Sequence, residues 1–136
     1  MHAGDVTPTE AYDILARDPD AVLVDVRTRA EWMYVGMPDL SSLGKRVVLL
    51  EWQGVDGTVH GGFVDALRDG GVPEEAPVFF ICRSGARSAS AASAATAAGY
   101  RAAHNVAHGF EGPPDLQRHR GSVAGWKADG LPWQQT

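Results

Sequence analysis

One cysteine, Cys82, is all the thiol this chain has. No internal disulfide can form, so the fold must rest on a packed core, and a lone thiol suits a reducing compartment. Basic residues are outnumbered: 12 Lys and Arg against 17 Asp and Glu leave a formal charge of −5. That balance argues against nucleic acid or an anionic membrane as the main partner, because both require a basic footprint. No apolar run is long enough to cross a bilayer. The opening residues, Met1-His2-Ala3-Gly4-Asp5, lack the basic-then-apolar pattern of a signal peptide, and a cytoplasmic protein is the expectation. What is present in quantity is apolar: 44% of the 136 residues, enough for one core in one domain spanning residues 1–136.

The chain alternates between two patterns. Thr7-Pro8-Thr9-Glu10 reads as a helix start, with Thr7 as cap, Pro8 at the first turn and Glu10 closing a capping box. Ala11, Ile14 and Leu15 supply its apolar stripe, and Asp18-Pro19 ends it. Val22-Leu23-Val24-Asp25-Val26 reads as a buried strand, and Thr28 with Glu31 as a second capping box opening a short helix through Trp32. Val47 to Leu50 suggests a further strand, and Phe63, Ala66 and Leu67 a helix stopped at Gly70-Gly71. Val78-Phe79-Phe80-Ile81 is apolar throughout, as a central strand covered on both faces should be. Residues 89–98 are almost all Ala, Ser and Thr and read as a helix of small side chains packed tightly on a sheet. A last strand is expected at Ala102 to Val106, followed by an ordered tail anchored by Phe110, Trp126 and Trp133. Together these predict an α/β fold: a central, mostly parallel sheet with helices on both faces. Ligands of such sheets bind beyond the carboxyl ends of the strands, which is where Cys82 falls.

The segment Cys82-Arg83-Ser84-Gly85-Ala86-Arg87-Ser88 joins the most apolar strand to the small-residue helix. If it curls, amides of the loop and the first helical turn converge, the helix dipole adds positive charge, and Arg83 and Arg87 add more. A thiol in that field ionises readily, and the thiolate is a nucleophile. The alternative, a buried structural cysteine, fits less well because Cys82 leaves the strand beside two arginines and a glycine.

This loop resembles the active-site loop of the rhodanese family. Leu23-Val24-Asp25-Val26-Arg27 followed by Glu31-Trp32, then Gly99-Tyr100, Asn105-Val106, Gly109-Phe110-Glu111-Gly112 and the stretch from Trp126 to Trp133 resemble further family segments, so the likeness covers nearly the whole chain. It departs at Val35-Gly36-Met37-Pro38, where the family often has a histidine, and matches least over residues 41–62, which are expected to shape the pocket rim. The resemblance implies a rhodanese-like fold and a thiosulfate sulfurtransferase working by double displacement. Cys82 would take sulfur from a small anionic donor as a persulfide and pass it to cyanide, a thiol or a protein acceptor. Arg83, Ser84, Gly85, Ala86, Arg87 and Ser88 would bind the donor and the persulfide, with no cofactor. Asp25 and Arg27 would support the loop, Asp25 by pairing with Arg87; a capped strand end and a solvated Arg27 is the competing reading. A related phosphatase loop is one residue longer than the four that separate Cys82 from Arg87, so phosphate ester hydrolysis and arsenate reduction rank below sulfur transfer.

Other classes remain in view. The same loop would serve a binding module with little turnover, or a redox sensor that borrows a partner's thiol. His104 and His108 lie four apart, but on a strand entering a turn that spacing does not bring ligands together, so no metal is expected. Arg118-His119-Arg120 reads as a solvated loop, and the tryptophans as core rather than as a ligand platform.

Overall fold

The computed structural model describes residues 2–54 and 56–135. Seven strands and four helices follow in the order β1 (Gly4–Val6), α1 (Pro8–Arg17), β2 (Val22–Asp25), α2 (Arg29–Tyr34), β3 (Met37–Pro38), β4 (Val48–Leu49), α3 (Phe63–Asp69), β5 (Pro77–Ile81), α4 (Ala86–Ala97), β6 (Ala102–Val106) and β7 (Trp133–Gln134), with a short 3-10 turn at Ser41–Leu43. Both capping boxes form as expected. Thr7 and Glu10 close one on α1; Thr28 and Glu31 close the other on α2.

Five strands make one parallel sheet in the order β1-β6-β5-β2-β4. β5 sits in the middle, with Phe80 level with Val24 on one side and Asn105 on the other. Alternate residues of β5 feed opposite faces. Val78 and Phe80 pack with Phe63, Leu67 and the alanines Ala91, Ala92 and Ala95 of α4. Phe79 and Ile81 pack with Ala11 and Leu15 of α1, and with Phe110 and Trp126 of the tail. The sheet is thus covered on both faces, and the small side chains of α4 let it lie close to β5 and β6.

Three strands escape the sequence reading. β1 contributes only three residues and pairs in parallel with β6. β3 and β7 form a two-residue antiparallel ladder, so β6 is not the last strand. α4 also begins at Ala86 rather than at Ala89, because Arg87 and Ser88 belong to its first turn. The tail is ordered, but unevenly buried: Phe110 and Trp126 are fully enclosed whereas Trp133 is 39% exposed, lying under the Lys127 ammonium at 4.0 Å. No helix among the described residues is long and apolar enough to cross a membrane.

Candidate active site

All five sheet strands point the same way, so the segments after β2, β4, β5 and β6 gather at one edge. Cys82 follows β5 immediately and is 1% exposed. The turn to α4 is made at Gly85, whose φ of +116° suits a residue without a side chain. Two donors then converge on the sulfur: the Gly85 amide and the Ser88 hydroxyl, each 3.1 Å from Cys82 Sγ.

The tail after β6 holds the outer side of the loop. Phe110 N–H donates to the Cys82 carbonyl at 2.8 Å, and the Glu111 and Gly112 amides donate to the Arg83 carbonyl at 3.0 and 3.1 Å. Gly109, at φ +62°, passes so close that a Cβ there would overlap the carbonyl oxygens of Cys82 and Arg83. With those carbonyls engaged on the tail side, the amides of Arg83 and Ser84 have no protein acceptor among the described residues.

The two arginines behave differently. Arg83 is exposed and its guanidinium has no partner among the described residues. Arg87 donates to both oxygens of Glu31 at 2.7 and 2.9 Å. This corrects the expected Asp25–Arg87 pair: Asp25 is taken by Arg27, through Nε at 3.0 Å and Nη2 at 2.8 Å. The reason is geometric, since Thr28 caps α2 and thereby sets Glu31 at the helix start that faces Arg87. Burial pushes the Glu31 carboxyl up, but the Arg87 hydrogen bonds and charge together with the Thr28 bonds outweigh it and bring it from 4.5 to about 2. In return, the Glu31 carboxylate raises Arg87 above its ordinary value. The positive charge of Arg87 is therefore largely matched within the protein.

Arg27 is fully buried, not solvated. Besides Asp25 it donates to the Gly36 carbonyl at 2.7 Å, and its guanidinium lies 4.3 Å from the centre of the Phe110 ring. Arg27 thus backs Phe110, whose amide holds the Cys82 carbonyl, and the Asp25 charge contributes to raising Arg87. Ser84 is exposed and its hydroxyl has no hydrogen-bond partner among the described residues, so of the two loop serines Ser88 is the one that reaches the sulfur. His104 stacks on Phe79 at 5.3 Å between ring centres, and burial with the nearby His2 lowers its affinity for a proton.

A cavity of about 340 Å³ opens beside the loop, lined by Thr28, Glu31, Gln53, Gly54, Gly57, Arg83 and Arg87. Residues 41–62 therefore do form part of the rim. A roomier, more apolar hollow of about 400 Å³ lies further along the same edge, between Trp32, Leu49 and Phe63; neither has Cys82 in its wall. Two residues near the sulfur were not singled out from the sequence as site residues. Glu31 and Asn105 lie in segments resembling the rhodanese family but were given no site role, although Glu31 pairs with Arg87 and the Asn105 amide oxygen is 2.6 Å from Ser88 Oγ.

Comparison with known proteins agrees with this architecture. Residues 3–136 match the family model described as the STR4 middle domain. The uncharacterized protein RC0915 of Rickettsia conorii is 40% identical over 134 residues, covering 98% of this chain and 99% of that protein. The crystal structure of Rv0390 from M. tuberculosis superposes with a TM-score of 0.93 at 54% identity, each chain covered in full. The chloroplastic rhodanese-like domain-containing protein 4 of Arabidopsis thaliana is 29% identical over 127 residues, 90% of this chain but 24% of that longer protein. With a parallel five-stranded sheet and its cysteine loop at the strand ends, the chain belongs to the family of the STR4 middle domain and has a rhodanese-like α/β fold.

Proposed function

We propose that this protein is a sulfurtransferase that carries sulfane sulfur as a persulfide on Cys82. The observation that carries the reading is the pair of donors, Gly85 N–H and Ser88 O–H, set 3.1 Å from a cysteine sulfur at the start of α4. Donors aimed at a sulfur favour its anionic forms, by the logic of an oxyanion hole.

In the proposed cycle the Cys82 thiolate attacks the outer sulfur of thiosulfate. A new S–S bond forms, the old one breaks, and sulfite leaves with the bonding electron pair. The outer sulfur of the persulfide then carries the charge, and the Arg83 and Ser84 amides, which have no protein acceptor among the described residues, are the donors available to it. Cyanide or a thiol attacks that outer sulfur, takes it, and returns Cys82 as thiolate. The two half-reactions share one site, so the kinetics are ping-pong. Exposed Arg83 supplies the unmatched charge that draws in an anionic donor, while Arg87 serves mainly to tie α4 to α2. No cofactor enters the cycle; a small thiol or a protein thiol is the cellular acceptor, in a cytoplasmic setting.

Thiocyanate release from thiosulfate and cyanide tests the reading. Turnover that varies with both substrates in a parallel-line pattern supports it. Absence of turnover with thiosulfate and with organic persulfides alike would leave a rhodanese-like module that does not transfer sulfur.

A further inference from the structure

Ser88 has one hydroxyl proton and three neighbours able to take it. Cys82 Sγ is 3.1 Å from its oxygen, the Gly85 carbonyl 3.3 Å and Asn105 Oδ1 2.6 Å. Ser88 is fully buried and Asn105 is 4% exposed, so water does not readily settle the competition. The orientation of the Asn105 amide decides it. Its Nδ2 donates to Asp5 Oδ1 at 3.3 Å on the other side. Asp5 is itself bound to His2 Nε2 at 2.7 Å, a contact that holds its carboxyl below the usual range. An ionised carboxylate can only accept, so turning the amide round would set oxygen against oxygen. Asn105 therefore offers Ser88 an acceptor and nothing else.

We propose that Asn105, oriented by Asp5, is a positioning residue that claims the Ser88 proton and so sets when Cys82 becomes a free thiolate. In the resting thiol, the Cys82 S–H donates to Ser88 Oγ and Ser88 donates to Asn105: every group is served. Loss of the thiol proton to solvent leaves two acceptors, Sγ and Asn105 Oδ1, and one hydroxyl proton between them. The Gly85 amide still serves Sγ, but either Sγ or Asn105 Oδ1 must forgo the Ser88 proton, so the free thiolate gains less from Ser88 than it would without Asn105. Sulfur loading removes the conflict, because the charge of a persulfide resides on its outer sulfur, away from Ser88. Asn105 thus moderates the help that Ser88 gives the bare thiolate without affecting the loaded persulfide, as suits a carrier that should not be alkylated or oxidised between loads. The inference rests on Cys82 being the reacting thiol of the proposed transfer.

Other charged groups around the loop and this network must be accounted for in the test. They are Arg83 in the loop, the Arg87–Glu31 pair from α4 and α2, Asp25–Arg27 after β2, and Asp5–His2 at β1. Asn105→Leu removes the acceptor at similar size and deletes no charge, but it also takes the Asn105 bond from Asp5, and the Ser88→Ala background controls for that change. The readout is the rate of Cys82 alkylation by iodoacetamide against pH, which needs no sulfur transfer and so stands or falls separately from the proposed function. Asn105→Leu is expected to move the profile to lower pH by half a unit or more, about a threefold faster alkylation near neutrality. Ser88→Ala should cancel the shift when combined with Asn105→Leu. If Asn105→Leu does not fold, Asp5→Ala at the exposed end of the network should give a shift of the same sign, and Ser88→Ala should again reduce it. A profile that is unmoved or moved to higher pH, or a shift that survives intact in the Ser88→Ala background, overturns the proposal.

Discussion

Arg87 and Glu31 face each other as a two-bond pair across 56 residues of sequence, at 2.7 and 2.9 Å, with about a fifth of each side chain exposed. Glu31 simultaneously accepts from the Thr28 amide and hydroxyl, so one carboxylate starts α2 and ties down α4. Its folded value is depressed from 4.5 to about 2, so its contribution to stability is complete above pH 4.5 and is lost as pH falls toward 2. After allowance for partial exposure this contribution is about 1–2 kcal/mol. Glu31→Gln should therefore be less stable than the parent at pH 7 by about that amount, with the gap closing below pH 4. Urea unfolding at a series of pH values checks this; a gap that does not depend on pH would contradict it.

The two loop arginines should separate cleanly. Arg83→Ala removes an unpartnered cation, so KM for thiosulfate should rise about tenfold, roughly 1.4 kcal/mol of binding, with unfolding unchanged. The effect should fade in high salt. Arg87→Ala leaves Glu31 without its partner, so it should lower stability by about 1–2 kcal/mol as well as activity. Initial-rate kinetics at two ionic strengths, paired with unfolding curves, distinguish them. Equal loss of stability in both variants would remove the division of roles.

Gly109 is where backbone and loop are in closest contact. Ala there must adopt a φ near +62° and its Cβ would press on the Cys82 and Arg83 carbonyls, the same carbonyls that the Phe110, Glu111 and Gly112 amides hold. The left-handed conformation alone costs about 1 kcal/mol, before any overlap. Gly109→Ala should lower stability by about 2 kcal/mol or more and reduce sulfur loading of Cys82 together with it. Full loading on a destabilised protein would show that the tail does not position the loop.

Arg27 and Asp25 form a pair with no exposure at all. Arg27→Met leaves a buried carboxylate unmatched and should cost about 3–5 kcal/mol, whereas replacing both residues with apolar ones should cost much less. A double-mutant comparison by urea unfolding reads the difference. If the double variant were the worse of the two, the pair would be stabilising the fold outright.

What could be read from the chain was what is local. Both capping boxes, the β5 run and the Cys82 loop are contiguous, and each carries its own signal: an S/T-x-x-E spacing, an unbroken apolar stretch, a thiol followed by two arginines. What could not be read depends on partners distant in sequence. β1 has three residues and no pattern until β6 lies beside it; β3 and β7 exist only as each other's partner. Charge alone did not tell whether Arg87 would meet Asp25 or Glu31, because that depends on where α2 sits over the first turn of α4. Asn105 stands out in the sequence only as part of a family-like strand segment, and its contacts show only once Asp5 and Ser88 are seen on either side of it.

The most direct measurement is the intact mass of the reduced protein after brief exposure to thiosulfate, and again after cyanide. A gain of one sulfur atom, mapped to Cys82, absent in Cys82→Ser and discharged by cyanide, is expected if Cys82 carries the transferred sulfur. No gain with thiosulfate or with an organic persulfide, or a gain that persists in Cys82→Ser, would contradict it.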